Sequence, residues 1–178
     1  MPRLPFLDPE DEPPSLRPVF DQLRATRGRV PGMYRLLGHH PDVLAAHRAY
    51  FHAALDTGIL PRKLKEKIAF KVARLRGSAY SSASHRRYAL DQGVSEQEIG
   101  AVDRSDYDGL PEIERAALVF AENMVRHDGH VSDSQFMELA RHYSSLEIIE
   151  IIALVGAMEL ASRYSAVLGL EPDAPPAD

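Results

Sequence analysis

EKIAFKVARLRGSAYSSASHRRYALDQGVSEQEI, residues 66–99, is the stretch on which the fold turns. Its apolar residues recur at threes and fours and never alternate, which is the period of helices rather than strands. Gly77 divides it into two helices. Gly93 closes the second, and Ser95-Glu96-Gln97-Glu98 opens a third through a capping box. On the first helix, Leu64, Ile68, Val72 and Leu75 form one apolar stripe. Ala69, Phe70 and Ala73 form another, in line with Glu66. A helix apolar on two sides lies between neighbours, which points Glu66 into protein. There it must find a partner or take up a proton. The competing reading leaves Glu66 at an exposed helix end, paired with Lys63 or Lys67.

Outward from this segment the chain reads as helix throughout, so the expected class is all-α. A Pro-rich arm occupies 1–14, and Ser15 can cap a short helix through Arg24. Residues 31–37 form a turn or two, and Pro41 opens a helix to about Thr57, stopped by Gly58. Pro61 opens the helix that carries Glu66. Leu110-Pro111 starts another to about His127, and Ser132-Asp133-Ser134-Gln135 is a second capping box. Ser144-Ser145-Leu146-Glu147 is a third, opening a long helix to about Leu168. One helical domain over 15–170 is expected, with a Pro/Ala/Asp tail at 171–178 read as disordered.

The bulk numbers bound the function. With 178 residues there is one domain's worth of chain, large enough to be stable without crosslinks. A net charge of −5 argues against nucleic acid as the default partner. The basic runs Arg62-Lys63-Leu64-Lys65-Glu66-Lys67 and His85-Arg86-Arg87 spread around a helix and read as solvated faces. The chain contains no cysteine, so neither disulfides nor thiol chemistry is available to it. Its first fourteen residues lack the basic and apolar regions of a secretory signal. Glu150, Glu159 and Arg163 interrupt the apolar run 148–170, which makes it a core helix rather than a membrane span. The expectations are a cytoplasmic protein with no membrane or nucleic-acid partner, no cofactor and no metal.

The chemistry-bearing residues are Glu66, Ser78, Ser81 and His85, spaced Glu-x11-Ser-x2-Ser-x3-His. Ser81 and His85 share a helix face, and Ser78 lies one turn earlier. A carboxylate that orients an imidazole, which in turn takes a hydroxyl proton, is a workable relay. No strained nucleophile elbow with an oxyanion hole accompanies it, so a serine hydrolase does not fit. The serines read equally as capping and close packing. Tyr80 either donates a hydrogen bond in the same pocket or packs, and Ser82 is a further candidate for holding substrate. The remaining histidines, among them His39, His40, His47, His52, His127 and His130, show no ligand spacing and read as surface residues.

This spacing resembles that of the alkylhydroperoxidase AhpD-like, carboxymuconolactone decarboxylase-like family from about Pro41 to Leu170. The family has Glu-x11-Cys-x2-Cys-x3-His where this chain has serines, followed by a stretch similar to Gly93–Ile99. LPEIERAALVFAENMV and SLEIIEIIALVGAMELASRYSAVLGL resemble its second helical hairpin. The resemblance implies an all-α bundle assembled as trimers, dimers or hexamers, acting on a small-molecule substrate. It puts Ser81 at the peroxidatic position, Ser78 at the resolving position, and Glu66 and His85 at the proton-relay positions. A hydroxyl cannot cycle through sulfenic acid and disulfide, so dithiol peroxidase activity is not expected of this chain. Acid–base chemistry by Glu66 and His85 on a small organic molecule is the first reading: decarboxylation, isomerisation, ring opening or cyclisation. A thiol peroxidase disarmed by Cys-to-Ser replacement at 78 and 81 is the second. A non-enzymatic ligand-binding or scaffold member is the third.

Overall fold

Pro61, Gly77 and Gly93 punctuate the chain around the helix to which most other elements attach. The structure is a computed structural model that describes residues 2–8 and 11–173. Within these, α4 (Arg62–Leu75) is buried at every position from Leu64 to Ala73 and packs against α5 (Ala79–Asp91), α7 (Glu112–Arg126) and α9 (Ser145–Leu168). Before it come α1 (Arg17–Arg27), α2 (Gly32–Leu37) and α3 (Pro41–Phe51), then a π-helical turn at His52–Asp56. α6 (Glu96–Arg104) and α8 (Asp133–Ala140) complete the bundle. No strand occurs among the described residues, and the fold is all-α, as expected.

The helix starts follow local chemistry. Ser95 with Glu98, Ser132 with Gln135, and Ser144 with Glu147 each form a reciprocal capping box at the first turn of α6, α8 and α9. α1 departs from the expectation. Leu16 rather than Ser15 stands at its N-cap, because the Leu16 amide turns back to Pro13 and a proline occupies the first turn. The helix then continues to Arg27, where Gly28 closes it at φ 71°.

Lys65 and Lys67 correct the reading of the basic run as a solvated face, and Lys71, one turn beyond the run, behaves like them. Lys65, Lys67 and Lys71 are fully buried along α4. Lys65 pairs with Glu150 of α9, Lys67 with Glu98 of α6 and Glu114 of α7, and Lys71 with Glu122 of α7. Each aliphatic stem packs in the bundle while its ammonium meets a carboxylate from another helix, which offsets the desolvation of both charges.

The core has two parts. α4 to α9 share one, built on Ile68, Val72, Leu118, Ile151, Leu154 and Met158. α1 to α3 build the other, in which Phe20, Leu23, Leu36 and Leu44 close over Tyr80 and Leu170. The N-terminal arm docks on this second layer: the Arg3 amide donates to Leu168 O (2.8 Å), and the Phe6 ring lies under Arg35. Residues 174–178 of the expected disordered tail lie outside the described residues, as do Met1, Pro9 and Glu10 of the arm. Asp173 is held in place, accepting from the Gly32 amide and the Tyr80 hydroxyl.

Candidate active site

Glu66 faces into protein, as its alignment with the second apolar stripe implies. Its side chain is completely buried, and His85 Nδ1 lies 2.7 Å from Oε2. Arg62, one turn earlier, donates through Nε to Oε1 at 2.8 Å. Neither Lys63 nor Lys67 is its partner. Burial opposes the charged carboxylate, but His85 and Arg62 together outweigh it and hold the group below the usual carboxylate range. An ionised carboxylate only accepts, so Nδ1 of His85 carries the proton and donates it to Glu66. That fixes the tautomer and leaves Nε2 as the ring's accepting nitrogen.

Arg62 is itself fixed from the other side. It donates to Leu55 O (2.9 Å) and Asp56 Oδ1 (2.8 Å), both in the π-helical turn that ends the α3 segment. The wider turn brings these two acceptors to the start of α4, in the kind of local irregularity that recurs at functional sites. The row Asp56–Arg62–Glu66–His85 is therefore one continuous polar network.

His85 opens on a cavity of about 70 Å³ at the seam between the two cores. Arg27 of α1, Tyr34 of α2, His47 and Phe51 of α3, and Ser81 and Tyr88 of α5 line it, with Asp56, Tyr80 and Ser84. Such a space takes a few waters or one small ring. His85 packs edge-on against the Tyr88 ring, 5.9 Å between centroids.

The serines separate by position. Ser81 is buried and lines the cavity beside His85. Ser78 does not line it: as N-cap of α5 it accepts from the Ser81 amide, and its hydroxyl meets Ser165 Oγ of α9 at 2.7 Å. Ser82 points to the other side of α5, toward Phe70, Ile99 and Glu96. Tyr80 reaches the cavity, but its hydroxyl is engaged, accepting from the Met33 amide (3.2 Å) and donating to Asp173. Burial raises its pKa.

His47 corrects another expectation. It is buried in the cavity wall, not at the surface, among Tyr34, Phe51 and Tyr164. Its alignment with Leu44 and Phe51 at helical spacing is the signal that would have found it. His127 and His130 belong to no cluster of three His, Asp or Glu side chains suited to a metal among the described residues.

The site so described is a buried acid–histidine pair beside a small cavity in an all-helical bundle. Residues 41–122 match the carboxymuconolactone decarboxylase family model. No curated protein matches the chain. Among solved structures it is similar to the debrominase Bmp8 in a cysteine-to-alanine variant bound to 2,3,4-tribromopyrrole: 27% identity and TM-score 0.84, over 98% of this chain and 95% of that one. The apo form of Bmp8 gives 28% and 0.82, over 95% and 91%. The AhpD core of an uncharacterized peroxidase-related protein from Ralstonia eutropha JMP134 gives 22% and 0.88, over 97% and 92%, a likeness of fold. The chain shares the AhpD-like fold, carries a segment that matches the carboxymuconolactone decarboxylase family model, and contains no cysteine.

Proposed function

We propose that this protein performs non-redox acid–base chemistry on a small organic molecule, with His85 as the proton-transfer group and Glu66 as its buried partner. The observation that carries the reading is the 2.7 Å contact between His85 Nδ1 and Glu66 Oε2 at the wall of a small cavity. With Nδ1–H committed to Glu66, Nε2 accepts a proton from substrate, and the adjacent carboxylate stabilises the imidazolium that results. The same nitrogen returns the proton to a later atom, so a decarboxylation, isomerisation or ring opening needs no further acid. Arg62 is a positioning residue. It fixes the carboxylate that fixes the ring. Ser81 and Ser84 offer hydroxyls to the substrate, while Ser78 holds the start of α5.

The ring bound by the Bmp8 variant supports a site for small cyclic molecules on this scaffold, held there in a form lacking one of its thiols.

The test is turnover of a panel of small lactones, ring acids and halopyrroles, followed by mass spectrometry with no thiol reductant. The expected result is conversion of at least one compound, with kcat/KM lowered about 100-fold or more in both His85→Ala and Glu66→Gln. Conversion that survives both substitutions would overturn the assignment. So would conversion that depends on added dithiol.

A further inference from the structure

His47 lines the cavity, yet nothing in the proton relay employs it. It stands on α3, in the layer of α1 to α3, whereas His85 comes from α5 in the other layer. Two imidazoles thus reach one space from the two sides of the seam. Only 6% of His47 is exposed, and its Nδ1 is buried with no hydrogen-bond partner among the described residues. A buried polar atom left without a bond carries the cost of desolvation with nothing in return.

Packing gives the ring no reason to be an imidazole. Phe51 lies against it at 4.5 Å between centroids, and Tyr164 and Tyr34 meet it edge-on at 5.8 and 6.3 Å. A phenylalanine would fill the same aromatic cage and leave no polar atom stranded. Burial alone governs the ring's ionisation and keeps it neutral, with one N–H and one lone pair. The relay lacks what such a ring supplies. His85 gives its own N–H to Glu66 and offers substrate an acceptor, Nε2, while the Tyr80 hydroxyl is spent on Asp173. When a base takes a proton from carbon beside a carbonyl, the C–H electron pair shifts toward the carbonyl oxygen, and that oxygen needs a donor.

We propose that His47 is that donor, the N–H of its ring donating to a substrate oxygen from the wall of the cavity opposite the His85 layer. The assignment rests on the reading of this cavity as the substrate site and adds the group that works against the base. As His85 Nε2 takes the proton, the charge left behind gathers on the oxygen that His47 holds. As Nε2 returns the proton to another carbon, the electron pair moves back from the oxygen to form the new C–H bond. Both rings then end as they began, with no other reactant consumed. Division of labour follows the layers: α4 and α5 carry the base and its carboxylate, and α3 carries the donor.

The experiment is NMR titration of the full chain with cyclopent-2-enone, isotope-labelled at its carbonyl carbon, and with cyclopentene, which has the ring without the oxygen. A hydrogen bond to the oxygen moves the carbonyl signal downfield, so the bound signal should lie further downfield in the wild type than in His47→Phe. His47→Phe should also lose about 5-fold or more in affinity for the ketone. It should bind cyclopentene as the wild type does, which reports an intact cavity. His47→Gln, whose amide donates without titrating, should keep part of both effects. Equal ketone affinity in the wild type and His47→Phe, the same bound carbonyl signal in both, or failure of the wild type to bind the ketone would each overturn the assignment and leave His47 meeting water alone. Binding is read without turnover, so its failure leaves the Glu66–His85 chemistry standing, and failure of that chemistry leaves the His47 contact standing.

Discussion

His47 stands in the cavity wall with Nδ1 buried and without a hydrogen-bond partner in the protein. Burial lowers its pKa from 6.5 to about 4, because the charged ring would have to be desolvated. The folded state thus holds His47 neutral where the unfolded chain protonates it. Its contribution is present in full above pH 6.5 and is lost as pH falls through about 4, a difference on the order of 3 kcal/mol. His47→Phe should lose less stability than wild type between pH 7 and pH 4, measured as urea midpoints at each pH. Parallel curves would show that the ring is not the titrating group. The residues of this site differed in how openly they declared themselves. Glu66 was legible from its alignment with Ala69, Phe70 and Ala73, and His85 from its spacing to Ser81. Arg27 and Tyr34 were not, because they reach the cavity from helices far away in sequence, and long-range packing leaves no spacing to read. Arg62 was passed over for the neighbouring lysines because the carboxylate's partner depends on where the π-helical turn puts Asp56.

α4 is anchored at its start by a contact no pattern of apolar residues announces. Glu150 of α9 accepts from the Ile59 and Leu60 amides (3.0 and 3.4 Å) and pairs with Lys65, clamping the loop that leads into Arg62 and Glu66. Gly58 has φ 95°, and a side chain there would collide with the Glu150 carboxylate. Gly77 also has positive φ, 66°, but open space around it. Gly58→Ala should therefore destabilise by about 2 kcal/mol or more, against about 1 kcal/mol for Gly77→Ala, in the same denaturation assay. Equal losses would mean that backbone conformation alone decides and that the clamp is slack. The capping boxes of α6, α8 and α9 were fully written in the sequence, since a window of four residues suffices to specify each. The clamp joins residues about ninety apart, and nothing local encodes it.

The whole bundle buries much of α9 but not all of it. Ile148, Ile151, Leu154, Val155 and Met158 are in the core, whereas Leu146, Ile149, Leu160 and Val167 are exposed on the other side. Ala153 and Gly156, half-buried, fall at the same helical spacing between Ile149 and Leu160. An apolar band of this length is suited to a second copy of the chain. We therefore expect light scattering to give a mass above that of one chain, and Ile149→Glu to return it to the monomer. A wild-type monomer at high concentration would remove this expectation. No helix among the described residues is long and apolar enough to cross a membrane, so the band is not accounted for by a helical span.

The buried lysines of α4 have a consequence for how this sequence can drift. Each ammonium is matched by a carboxylate on a different helix, Lys65 by Glu150, Lys67 by Glu114 and Lys71 by Glu122. Losing either member of the Lys65–Glu150 or Lys71–Glu122 pair strands a buried charge, a far worse state than keeping or replacing both, whereas Lys67 keeps Glu98 if Glu114 is lost. The helix carrying Glu66 is thus tied to its neighbours by substitutions that are tolerated in couples. Its history should be written as correlated changes between α4 and the helices around it.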